Sequence, residues 1–128
     1  MEMEWKYVKP LKKPTAISEF LRKYHIVLPQ DSVELLQKYN GGRPANKRIL
    51  TVNNREYVFK TLLSYNADDI ETIYRVYPEP FRKLGLLPVA SDAAGNYVCF
   101  DQTTNFWVLY NHETDRVERI VEMPALFG

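Results

Sequence analysis

The residues best placed to do chemistry lie between two apolar runs, in the stretch from Ser91 to Asn96. Asp92 offers a carboxylate, Asn96 an amide and Gly95 a freely turning backbone. As a general acid or base, Asp92 needs a partner. Asp101 is the nearest acidic residue, but an extended chain rising about 3.3 Å per residue carries it beyond hydrogen-bond reach. A phosphate cradle needs several glycines ahead of a helix. Here one glycine precedes a strand-like run. A calcium loop needs alternating ligands closed by a glutamate, which Asp92, Asn96 and Asp101 do not supply. The spacing fits a strand connection: Asp92 and Asn96 bond the loop's own backbone, and Gly95 takes a positive φ.

The remaining reactive side chains are few. Cys99 is the single cysteine. It sits among apolar neighbours and reads as a small hydrophobe rather than a nucleophile. Alone, it excludes an internal disulfide and a cysteine-built zinc site. The two histidines, His25 and His112, form no i, i+4 pair, so neither a metal nor a cofactor is expected. His112 with Asp115 reads as turn chemistry. Arg43, Lys47, Arg48 and Arg55 make a basic loop able to touch phosphates. Asn46, Asn53 and Asn54 accompany it. No aromatic residue interleaves before Tyr57, so a stacking platform for single strands is poorly supported. Aromatics are plentiful, with nine Tyr, six Phe and two Trp. Tyr65, Tyr97, Trp107 and Tyr110 can line a sheet face, and such residues anchor interfaces.

Helices and strands must position these groups. Pro10 and Pro14 keep the basic segment 1–14 extended, with Trp5 and Tyr7 as anchors. Thr15 is the expected N-cap of a first helix. Ile17, Phe20, Leu21 and Tyr24 mark its buried face. Pro29 opens a second helix, with acidic Asp31 and Glu34 early and Lys38 late, as the helix dipole favours. Asn40-Gly41-Gly42 ends it. Residues 43–56 read as a loop or weak hairpin, followed by a strand over 57–63. Asn66 or Asp68 caps a third helix carrying Ile70, Ile73, Tyr74 and Tyr77, which Pro78 and Pro80 stop. A short turn over 81–86 leads to strands over 87–90, 97–101, 106–110 and 117–121. Their short connections imply an antiparallel meander. A closing turn is expected over 123–127. Segregated helices and strands give α+β, with helices on one face of the sheet and the other face partly open.

Composition fits one domain spanning 1–128, with 45% hydrophobic and 26% charged residues. No apolar run approaches a membrane span, and the first residues lack the apolar core of a secretory leader. The expected location is the cytoplasm, with no membrane partner. Residues 1–60 carry 12 Lys and Arg against 6 Asp and Glu, whereas residues 61–128 carry 5 against 10. The halves either form opposed basic and acidic faces or interleave on folding.

Three segments resemble the signatures of the SMI1/KNR4 family within the SUKH superfamily. The first is Leu28-Pro29, an apolar helix, then Tyr39-Asn40-Gly41-Gly42-Arg43-Pro44. The second runs from Leu87-Pro88 through Gly95-Asn96 to Asp101. The third is Val108 to Glu113. They follow the family's order between Thr15 and Phe127. Ala94 stands where the family usually has the first of two glycines, and the segment between Arg43 and Tyr57 matches nothing. The resemblance implies a protein-binding module without shared catalytic residues. Many bacterial members are immunity proteins that bind and neutralise a toxin encoded beside them, often a nuclease. Fungal relatives regulate cell-wall synthesis through protein contacts, and a regulatory or scaffold role is the alternative. In the immunity reading with a nuclease toxin, some of Asp68, Asp69, Glu71, Asp92, Asp101, Glu113 and Asp115 form an acidic patch that steers a basic partner. Asn96, Tyr97, Trp107 and Tyr110 would lie beside it. Leu28, Pro29, Asn40, Gly41, Gly42, Pro44, Pro88, Gly95 and Asn96 would hold the fold. A homodimer through the open sheet face is also conceivable on this plan, while binding to nucleic acid is not favoured.

Overall fold

The structure is a computed structural model and describes residues 4–124. Its elements run β1 (Trp5–Lys6), α1 (Ala16–Lys23), α2 (Gln30–Lys38), β2 (Arg43–Pro44), β3 (Arg48–Thr51) and β4 (Glu56–Leu62). Then come α3 (Ile73–Val76), α4 (Phe81–Leu84), β5 (Leu86–Asp92), β6 (Tyr97–Asp101), β7 (Phe106–Asn111) and β8 (Arg116–Glu122). The class is α+β with antiparallel pairing throughout the main sheet, and β5 to β8 form the expected meander.

The sheet is not open. The segment expected as a loop contributes β3, which pairs with β4 on one side and β8 on the other, closing a barrel of β3 to β8. Three register shifts, at Leu50/Thr51, Phe59/Thr61 and Pro88/Ala90, bend the strands enough to close. Alternation fits the closure. Ile49, Thr51 and Phe59 are buried, whereas Arg48 and Val58 face solvent. Strand β5 is buried along its whole length, Pro88 included. That explains why it reads as a continuous apolar run rather than an alternating one.

The helices are shorter than the sequence pattern suggests. Residues 66–71 form bends and turns, and Ile70 stands 85% exposed instead of joining a buried face. The third helix starts only at Ile73, with Thr72 as its cap. The turn expected near residue 81 contains α4, ended by Gly85 at φ +71°. Thr15 holds the cap position of α1, but its hydroxyl bonds Glu19 and no backbone N–H. Phe20 of α1 sits in an aromatic cluster, 5.2 Å from Tyr77 and 5.5 Å from Tyr65. A buried phenyl of this kind contributes about 1.5–3 kcal/mol. The closing turn over 123–127 falls mostly outside the described residues.

Segment 4–14 is stitched to the body. Strand β1 pairs with β2, Lys9 N–H donates to the Asn40 carbonyl at 2.7 Å, and Trp5 stacks on Tyr39 at 5.2 Å. Tyr7 is no anchor. It is 71% exposed, at φ 58°, with the Arg43 guanidinium over its ring.

Candidate protein-binding surfaces

The first signature is a junction. Leu28 and Pro44 are buried, and the Pro29 carbonyl accepts from Ser32 N–H and Val33 N–H to start α2. Asn40 is 1% exposed. Its amide nitrogen donates to the Lys9 carbonyl at 2.8 Å and to Ser64 Oγ at 3.0 Å, and its oxygen accepts Tyr65 N–H at 2.8 Å. Gly41 sits at φ +69°, and a methyl there would press on the Lys9 side chain at 3.2 Å. At Gly42 it would lie 2.8 Å from the Tyr39 carbonyl. Both positions therefore require glycine.

The second and third signatures meet at one end of the barrel. Asp92 is 3% exposed and works within its turn. One oxygen accepts Ala94 N–H at 2.9 Å and Asn96 N–H at 2.6 Å, while the other accepts the Asn96 amide at 3.0 Å. Gly95 lies at φ +88°. The turn chemistry read from the sequence is present. The placing of Asp92 and Asn96 on an accessible partner surface is not, since both are buried. Asn96, 4% exposed, continues the chain: its oxygen meets His112 N–H at 3.1 Å and His112 Nδ1 at 2.8 Å.

An ionised Asp92 only accepts, so it fixes the Asn96 amide with its nitrogen inward. The Asn96 oxygen then requires a proton on His112 Nδ1. This leaves Nε2 bare and facing outward, 4.0 Å from Glu113. Nitrogen-15 NMR should find neutral His112 as the Nδ1–H tautomer. Asp92→Asn, whose side chain both donates and accepts, should release the amide and give a tautomer mixture. A single unchanged tautomer in both proteins would refute the relay.

Other residues of the expected patch scatter. Tyr110 is buried, not an interface anchor. Its hydroxyl donates to Asp115, which pushes the phenol up to about 12, with burial adding. Tyr65 is likewise buried, and burial raises its phenol too. Tyr97 is half-buried against Phe81, with ring centres 5.3 Å apart. Burial, then the nearby Glu71 carboxylate, raises its pKa. Trp107 is half-buried against Phe100 at 4.8 Å. Asp101 accepts Thr103 N–H at 2.9 Å, at the opposite end of β6 from Tyr97 and so about 13 Å from the Glu113 end.

Asp68, Asp69 and Glu71 do share one loop, but each is engaged. Asp68 pairs with Lys12, which draws its carboxyl below the usual range. Asp69 accepts from Ser64 and, at 3.2 Å, from Asn66. Glu71 binds Lys60 at 2.8 Å. Asp101 thus stands apart at one end of β6, while Lys60, the partner of Glu71, sits on β4 beside the Ser91–Tyr97 end. The basic loop is likewise committed in part: Arg48 bridges Glu56 and Glu122, and Arg55 lies 3.9 Å from Glu118.

The sequence reading missed Glu118. It is 9% exposed and accepts from Thr51 Oγ1 at 3.0 Å, Asn53 Nδ2 at 2.9 Å and Tyr57 OH at 2.8 Å. Burial alone would raise its pKa. The three donors and Arg55 outweigh burial and lower it. Only the alternation of β8, which places 118 and 120 inward together, hints at this.

Cys99 is fully buried, and burial pushes its thiol well up, with Asp101 adding. Among the described residues, no cluster of three or more His, Cys, Asp or Glu could hold a metal ion. Nor is any helix among the described residues long and apolar enough to cross a membrane.

These features define an α+β protein on an antiparallel barrel, with its signature polar residues committed largely to the fold. The profile of the SMI1 / KNR4 family (SUKH-1) matches residues 13–122, and the chain belongs to that family. Comparison with curated proteins and with solved structures gives no match. The family's proteins are in general binding proteins rather than catalysts.

Proposed function

We propose that this chain is a non-enzymatic immunity protein that binds and neutralises a cognate toxin domain in the cytoplasm. In this reading, 1–128 acts as one domain with segment 4–14 folded onto it. Helices α3 and α4 pack on β5, and the partner meets exposed side chains elsewhere. Family membership supports a protein partner. The observation that carries the absence of catalysis is the state of the reactive groups: Asp92 is saturated by three donors and Cys99 is sealed in β6. Among the described residues, the carboxylate beside His112 Nε2 is that of Glu113, at 4.0 Å and beyond hydrogen-bond reach. The acidic patch as a single steering surface is set aside, because Asp92 is buried, Asp101 lies at the far end of β6, and Asp68 and Glu71 are neutralised by Lys12 and Lys60. Charge reversal at Asp92 acts on folding before it acts on binding. The test is co-expression with the protein encoded immediately upstream. Growth rescue together with a purified complex supports immunity. Rescue without a complex, or turnover of a substrate by the chain alone, overturns it.

A further inference from the structure

Asn40-Gly41 is the one asparagine–glycine pair in the sequence. Asparagine is thermolabile, and a glycine after it makes it more so. The attacking group is the backbone nitrogen of the next residue, and glycine has no side chain to shield it. The fold cannot substitute this weakness away. Gly41 holds φ +69° after α2, where a methyl would press on the Lys9 side chain at 3.2 Å. Asn40 supplies both the donors and the acceptor of the junction. The two residues that the junction requires are therefore the two that react together.

Native geometry keeps them from reacting. The Lys9 carbonyl requires the Asn40 nitrogen and Tyr65 N–H requires its oxygen, so one orientation of the amide satisfies both. Swinging Cγ onto the Gly41 nitrogen would break these bonds and the one to Ser64 Oγ, leaving buried groups unpaired. Asn40 is 1% exposed, and Gly41 is buried beneath the Lys9 stem. Water is thus kept from the carbon that would be attacked.

We propose that Asn40 is a spontaneous modification site gated by unfolding, so that time spent in the open chain destroys this junction irreversibly. In the open chain the Gly41 nitrogen attacks Asn40 Cγ. A C–N bond forms, the Cγ–Nδ2 bond breaks, and the Gly41 amide proton leaves with the side-chain nitrogen as ammonia. Water then opens the cyclic imide at either carbonyl, giving aspartate or isoaspartate. Aspartate cannot donate to the Lys9 carbonyl. Isoaspartate adds a methylene to the main chain between α2 and β2. Neither product restores the native contacts.

Exposed asparagines supply an internal comparison. Asn54 and Asn105 lie between strands, exposed and at positive φ, but Arg55 and Phe106 follow them and hinder the attack. The test incubates the full chain at mildly alkaline pH, in buffer and in denaturing urea, and maps aspartate and isoaspartate by peptide mass spectrometry. In urea, Asn40 should react ahead of Asn54 and Asn105. In buffer the order should reverse, with Asn40 slowed at least about a hundredfold, because reaction follows the population of the open chain. The yield of refolded protein should fall in step with modification at residue 40. Gly41→Ala, compared in urea where folding is not needed, should slow Asn40 severalfold and leave Asn54 and Asn105 unchanged. Similar rates at Asn40 in buffer and urea overturn the proposal. So does an Asn40 no faster than Asn54 in urea, or full refolding of chains modified at residue 40.

Discussion

Asn40→Ala loses about 3–5 kcal/mol of folding stability in urea titration, without any change at an exposed surface. Truncation strands the Lys9 carbonyl and Tyr65 N–H and removes the Ser64 Oγ contact. Each buried group left unpaired costs about 1–3 kcal/mol. The amide joins three parts of the chain, namely segment 4–14, the end of α2 and the stretch after β4. Asn40→Asp should be nearly as damaging, because a carboxylate cannot donate to Lys9. Gly42→Ala should join them, since backbone at 2.8 Å cannot move aside cheaply. A loss below about 1 kcal/mol for Asn40→Ala would mean that the junction is supported by packing alone.

Glu118→Gln is the second large effect, and its sign depends on pH. The folded carboxyl titrates below its unfolded value of about 4.3. Its stabilisation is therefore present above that pH and fades as pH falls through the folded pKa. At neutral pH the variant should be weaker than the parent by about 1–3 kcal/mol, because a neutral amide serves Thr51, Asn53 and Tyr57 less well. The gap should narrow steadily below about pH 4. Glu56→Gln, at an exposed pair with Arg48, should show no comparable gap. A Glu118→Gln deficit that stays constant from neutral to acid pH would refute the charge-based clamp.

Local chemistry was legible where partners are close in sequence. Asp92 bonds N–H groups two and four residues on, and the loop from Ser91 to Asn96 announces that through its residue types. Asn40-Gly41-Gly42 announces a helix end for the same reason. The roles of Asn40 and Glu118 were not legible, because their partners lie 24 to 67 residues away. Glu118 between Val117 and Arg119 looks like any solvated charge. Closure was missed because β3 is short and flanked by Lys47, Asn53 and Arg55, so its alternation covers only Arg48 to Thr51. The expected patch failed for a related reason. Composition counts charges, while strand direction decides which end of the barrel receives them.

The order in which strands join the ring has a kinetic consequence. β3 and β4 leave the ribosome early, yet the seam that completes them is made with β8, more than 60 residues later. Until then the nascent chain holds Ile49 and Phe59 on an unsealed surface, open to chaperones and to neighbouring polysomes. Pairings this distant in sequence delay folding. The ring can therefore seal only once β8 has left the ribosome.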